Sequence, residues 1–234
     1  MLDLQEQCES GQRELMRMEY LQAEATLAAV FEEAIRIEDW DTVARAALPL
    51  QEARRQRRQT CGLGAVNLNI LATGAEDRLN VEEILQQNPR GQLLVAGWGT
   101  TAPAVRLREL ARQRRMYVET FLGAVYPLND GQAVAIVPLE ESPLPEACPR
   151  SLDQLKEELP PHCLLIQNRK SKLQNPMSLW EDLHTPFLAA ADAETEPSEK
   201  IALYLKTIAV DYACEFAHQR LADVARQLAR SMLK

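Results

Sequence analysis

The sequence predicts an α/β fold: a mixed, mostly parallel five-stranded sheet flanked by helices, with an N-terminal helical hairpin and a long C-terminal helix packed together. Three observations lead to it. Apolar residues recur with a helical period towards both ends of the chain. In the middle they alternate or form short runs, as in strands. A glycine turn, Gly97-Trp98-Gly99-Thr100-Thr101, joins one such run to a helix. The expected boundaries are 1–61 for the hairpin, 62–176 for the α/β domain and 177–234 for C-terminal helices packing back on the hairpin as one structural unit.

Composition narrows the class. At 234 residues the chain buries one sizeable core or two small ones, and its 46% hydrophobic and 26% charged fractions are those of a soluble globular protein. A net charge of −8 disfavours nucleic acid and anionic lipid as partners. The first residues lack a basic stretch followed by an apolar run, and no apolar stretch approaches the ~18 residues of a membrane span. The five cysteines are scattered and never spaced as C-x-x-C, which points to a reducing compartment and a cytoplasmic location.

Taken in order, Met16, Tyr20, Ala23, Leu27, Val30, Ala34 and Ile37 form one seam, which predicts a long helix over 12–37. Glu38-Asp39-Trp40-Asp41 breaks it, with Asp39 or Asp41 able to cap the next helix. That helix buries Val43, Ala47 and Leu50, should kink or restart at Pro49, and runs out in Arg54-Arg55-Gln56-Arg57-Arg58. Ala34 and the run EDWDTVARAAL resemble a single tetratricopeptide unit over about thirty residues; a solenoid needs roughly three, so the resemblance implies a helical hairpin and no more.

Val66, Leu68 and Ile70 then alternate with Asn67 and Asn69 as a half-buried strand. Asn80 with Glu83 opens a helix that Asn88-Pro89 ends. Leu93 to Ala96 is the second strand, and the glycine turn leads to a helix opening near Pro103. Strands are expected over 117–122 and 133–137, joined antiparallel because 123–132 is too short for a helical crossover. A proline-rich crossing leads to the capping box Ser151-Leu152-Asp153-Gln154. A fifth strand over 163–167, expected parallel to the fourth, precedes the basic loop Arg169-Lys170-Ser171-Lys172. One helix is expected over 177–191 and another over 198–233, the latter roughly 50 Å long, with more apolar face than a compact core of this size needs.

Two constellations carry possible chemistry. Backbone N–H groups at the glycine turn, with Gly97, Trp98, Gly99, Thr100 and Thr101, suit a phosphate or carboxylate in a Rossmann-like crevice beyond the strand ends. The sequence GWGTT nevertheless matches neither the dinucleotide fingerprint nor a P-loop. Two of the three histidines lie in Glu-x-x-His: Glu181 with His184, and Glu215 with His218, a spacing that puts both ligands of a pair on one helix face. A metal there competes with a simpler reading, a surface glutamate beside a histidine. No nucleophile elbow or cofactor motif is present, so no cofactor is expected. The functional expectation is a non-catalytic interaction or scaffold module that self-associates through its terminal helices into a homo-oligomer. The alternative is a protein or enzyme binding a small phosphate- or nucleotide-type anion at Gly97–Thr101.

Overall fold

The computed structural model describes residues 3–62, 66–166 and 176–232. The chain divides into two compact units, one of Met1–Gln59 with His184–Lys234 and one of Thr60–Leu183. In the first, α1 (Leu4–Met16), α2 (Tyr20–Arg36) and α3 (Trp40–Cys61) follow one another. The single long helix expected over 12–37 is in fact two. The chain turns after α1 through Met18, at φ 61°, with its amide bonded back to the Leu15 carbonyl at 3.0 Å. A methionine in the left-handed region gives no glycine to mark the break. The expected seam therefore holds inside α2, where Ala23, Leu27, Val30 and Ala34 are buried, and fails at its ends: Met16 is 75% and Ile37 49% exposed.

Glu38, again left-handed at φ 57°, ends α2, and Asp39 caps α3 by accepting from the Thr42 amide at 3.1 Å and its hydroxyl at 2.6 Å. Pro49 lies inside α3 without ending it. Val43, Ala46 and Ala47 before it and Leu50 and Ala53 after it are all buried, and this shared stripe holds one helix through the proline.

The second unit carries β1 (Val66–Leu71), α4 (Val81–Gln87), β2 (Arg90–Trp98), α5 (Ala102–Gln113), β3 (Tyr117–Leu128), β4 (Gly131–Val137), α6 (Leu152–Glu158) and β5 (Leu164–Ile166). The strands lie in sequential order. β1–β2 and β2–β3 are parallel, while β3–β4 and β4–β5 are antiparallel. The sheet is mixed as expected, but it is not mostly parallel. The cause is the connection after β4. Its proline-rich stretch stays extended and returns to the hairpin end, where the Arg150 carbonyl accepts from the Asn129 amide at 3.1 Å. α6, opened by the capping box on Ser151 and Gln154, makes a second crossing, so Leu164 starts β5 opposite Ile136. β5 thus runs against β4, not parallel to it as expected, and its end lies at the same edge as the end of β2. The basic residues Arg169, Lys170 and Lys172 lie outside the described residues.

One face of this sheet packs Leu93, Val95 and Leu122 against Val81, Leu85, Leu107 and Ala111 of α4 and α5. On the other face Phe121 stacks on Trp180, ring centroids 4.0 Å apart, and the Trp180 indole N–H donates to the Gln92 side chain at 3.1 Å.

Trp180 belongs to α7 (Pro176–Ala193); α8 (Pro197–Val210) and α9 (Glu215–Met232) follow. The single helix expected over 198–233 is broken between Val210 and Glu215. There the Asp211 carboxylate accepts from the Ala213 amide at 3.2 Å, giving the backbone an alternative to continuing the helix. α8 and α9 are roughly 21 and 27 Å long, and the surplus apolar length disappears. Leu27, Val30, Leu50, Ile201, Tyr204, Ile208, Leu221 and Ala225 share the core of this helical unit. Among the described residues no helix is long and apolar enough to cross a membrane.

Candidate functional site

The glycine turn forms where expected, between β2 and α5. Three amides at and beside it bond within the protein. Gly97 donates to the Thr100 carbonyl at 3.1 Å, Gly99 to the Val125 carbonyl at 2.9 Å, and Ala102 to the Thr100 hydroxyl at 3.1 Å. Gly99 needs its missing side chain: φ is +62°, and a Cβ there would come within 2.7 Å of that of Ala147. Thr101 occupies the N-cap of α5 without a side-chain cap bond and is buried, while Trp98 is half-buried. The sequential strand order has no point where the winding reverses, which is where a doubly wound sheet opens its ligand crevice.

The densest chemistry lies in the helical unit. Arg54, Arg57 and Arg58 share one face of α3 by their spacing, and that face points inward. Arg57 grips both carboxylate oxygens of Glu24 at 2.7 and 2.9 Å, with the Arg54 guanidinium 3.6 Å from the same carboxylate. All three guanidiniums lie 4.8–5.9 Å from the centre of the Tyr212 ring. Arg58 meets one oxygen of Asp211 at 2.8 Å; His184 Nδ1 meets the other, also at 2.8 Å. Asp211 stands in the turn between α8 and α9, and Cys214 is the last residue before α9. Ligand-type atoms of His184, Asp211 and Cys214 all lie within 4.8 Å of one another.

Charge states follow from these contacts. Burial tends to raise the Asp211 carboxyl, but Arg58 and His184 outweigh it and hold the group below the usual carboxylate range. Burial tends to lower His184, yet its bonds to Asp211 and Cys214 prevail and push it up to about 10. His184 is therefore an imidazolium at neutral pH. His218 goes the other way: burial first, then the Arg54 charge, push it down to about 3. A neutral His218 donates from Nδ1 to the Cys214 carbonyl at 2.8 Å and accepts from Arg54 at Nε2, 3.3 Å away.

The two Glu-x-x-His pairs are parted by burial. His184 is largely buried and His218 fully so, whereas Glu181 and Glu215 are exposed, Glu215 accepting from Gln219 at 2.7 Å. His184 has Asp211 and Cys214 as its companions, and the Arg58 guanidinium already supplies the cation beside Asp211. The inward face of these arginines is what the sequence reading missed, by taking them only as the basic run in which a helix ends. The signal was present: positions 43, 47, 50, 54, 57 and 58 continue one stripe, so the arginines extend the buried apolar face.

A third feature is open to solvent. A groove of about 450 Å³ runs between the α2–α3 turn and the end of α9. Glu38, Asp39 and Asp41 edge one side, Arg226 and Arg230 the other; Trp40, Ala44, Ala229 and Met232 supply apolar surface, and Arg45 also lines it. No known family model, curated protein or solved structure matches the chain.

Proposed function

We propose that the chain is a non-catalytic interaction module that self-associates through its terminal helices, with this groove as the contact. The observation that carries the reading is an exposed anchor ringed by opposite charges. Met232 is 69% exposed in a groove that also presents Trp40, and Ile37, which precedes the groove residue Glu38, is 49% exposed. Aromatic residues, methionine and arginine are the types enriched where proteins meet. The acidic edge at Glu38 and Asp41 and the basic edge at Arg226 and Arg230 make the surface self-complementary. A two-fold axis lays the acidic edge of one copy over the basic edge of the other.

Light scattering on the full chain at micromolar concentration tests this. The expected mass is twice the 26.4 kDa of one chain. Met232→Glu and Asp41→Lys each shift it towards one chain, and combining Asp41→Lys with Arg230→Glu restores the dimer. A single-chain mass for the natural sequence overturns the reading, as does a dimer indifferent to all of these changes.

A further inference from the structure

The turn between α1 and α2 is weakly capped on both sides. Met18 holds the left-handed conformation there, at φ 61°, in place of the glycine or asparagine that usually closes a helix. Glu19 stands at the N-cap of α2 without a side-chain cap bond. The α2–α3 turn differs: Glu38 is also left-handed, but the Asp39 carboxylate caps α3. Arg17, Met18 and Glu19 are all strong helix formers. Straightening the joint relieves Met18 and pairs the Tyr20, Leu21 and Gln22 amides with the carbonyls of Met16, Arg17 and Met18.

The residues around the joint fit that second form. Leu4, Cys8, Gly11 and Leu15 make the inward stripe of α1 in alternating steps of four and three, and Met18 is its next position. Met16 likewise precedes Tyr20, Ala23 and Leu27 on the seam of α2. Both methionines are exposed at the turn. α1 packs chiefly on α2, with Gly11 so close to Leu27 that a Cβ would come within 2.6 Å of its Cγ. Gln5 bonds to Glu9, Gln12 to Cys8, and Arg13 pairs with Glu9, all inside α1. The contact with α2 is one of apolar shape, which the α2 of a second copy offers equally well.

We infer that α1 is an exchangeable arm: two copies form a dimer in which α1 and α2 join into one helix over 4–36, and each α1 packs on the α2 of the other copy. Such a helix is roughly 50 Å long, and two of them run antiparallel about a two-fold axis near Met18. The fit of Gly11 on Leu27 is kept, now between copies, while Met16 and Met18 of both chains gather at the axis. Short hinges under strain favour exchange of this kind. The joint lies at the opposite end of α2 from the groove, so the two contacts are tested apart.

The test uses the full chain carrying Met232→Glu, which removes the groove contact. Exchange requires α1 to leave α2, so the chain is equilibrated in partly denaturing urea at millimolar concentration, returned to buffer and separated by size. A dimer that persists after dilution is expected. Its Tyr20, Leu21 and Gln22 amides exchange with deuterium at least about tenfold more slowly than in the single chain, being bonded along a helix. Met18→Gly carries no left-handed cost, and lowers the dimerisation constant about a hundredfold, roughly tenfold from each copy. Deleting Met18 and Glu19 leaves too little chain to turn back, and yields dimer alone. Should the shortened chain not fold, Met18→Gly still decides, because a dimer yield unchanged by it overturns the proposal. So does recovery of single chains only, a shortened chain that folds with the mass of one copy, or a dimer whose Tyr20–Gln22 amides exchange as fast as before.

Discussion

Arg58 and Asp211 meet at 2.8 Å with side chains only 4% and 3% exposed, a salt bridge almost fully withdrawn from water. Breaking such a pair from one side leaves a buried charge without its counter-ion, which costs about 3–5 kcal/mol. Asp211 serves two cations, so its loss is the more damaging. Asp211→Asn is expected to lower stability by more than Arg58→Met, which leaves Asp211 with His184. In urea denaturation followed by circular dichroism, the double variant should lose less than the two single losses added together. Simple additivity contradicts direct coupling.

The two histidines of the helical unit predict a stability optimum near pH 6.5. His184 is raised from 6.5 to about 10, so its contribution is full below 6.5 and is lost as pH rises through 10. His218 is lowered from 6.5 to about 3, so the folded state binds fewer protons than the unfolded chain on the acid side, and stability falls as pH drops from 6.5 towards 3. Asp211, held below its ordinary 3.8, steepens the acid limb further down. Urea midpoints measured against pH should form a dome. His184→Gln flattens its alkaline limb and His218→Gln the upper part of its acid limb; an alkaline limb unchanged in His184→Gln contradicts the assignment.

These groups were nearly invisible in the sequence, whereas much of the sheet was legible. Val66, Leu68 and Ile70 betray β1 by alternation, Asn129-Asp130-Gly131 marks the β3–β4 hairpin, and Ser151 with Gln154 forms the capping box their spacing implies. Each of those signals is local. The misses share a different physics. Met18 adopts a left-handed conformation usually marked by glycine, and Asp211 breaks a helix with its own carboxylate, so continuous apolar periodicity hid both turns. The inward face of Arg54, Arg57 and Arg58 depends on Glu24 and Asp211, far away in sequence, to make buried charge tolerable. The direction of β5 depended on an extended proline stretch crossing the sheet, which no helical pattern announces.

The glycine turn offers a test that separates backbone need from side-chain chemistry. Gly99 sits at φ +62° and faces the Ala147 Cβ, so Gly99→Ala adds left-handed strain of about 1–2 kcal/mol and a contact that the 144–147 segment must shift to relieve. A total loss of about 2 kcal/mol or more is expected. The Gly99 amide bond to Val125 survives the change, so the loss reports conformation and not hydrogen bonding. Thr100→Val removes the acceptor of the Ala102 amide and should cost about 1 kcal/mol. Thr101 makes no side-chain cap bond, so Thr101→Val, close in shape, should stay within about 0.5 kcal/mol. The expected order of damage in urea denaturation is Gly99, Thr100, Thr101. The reverse order would mean that the turn is held by its threonines rather than by its glycine, and that its amides are less committed to the fold than these bonds imply.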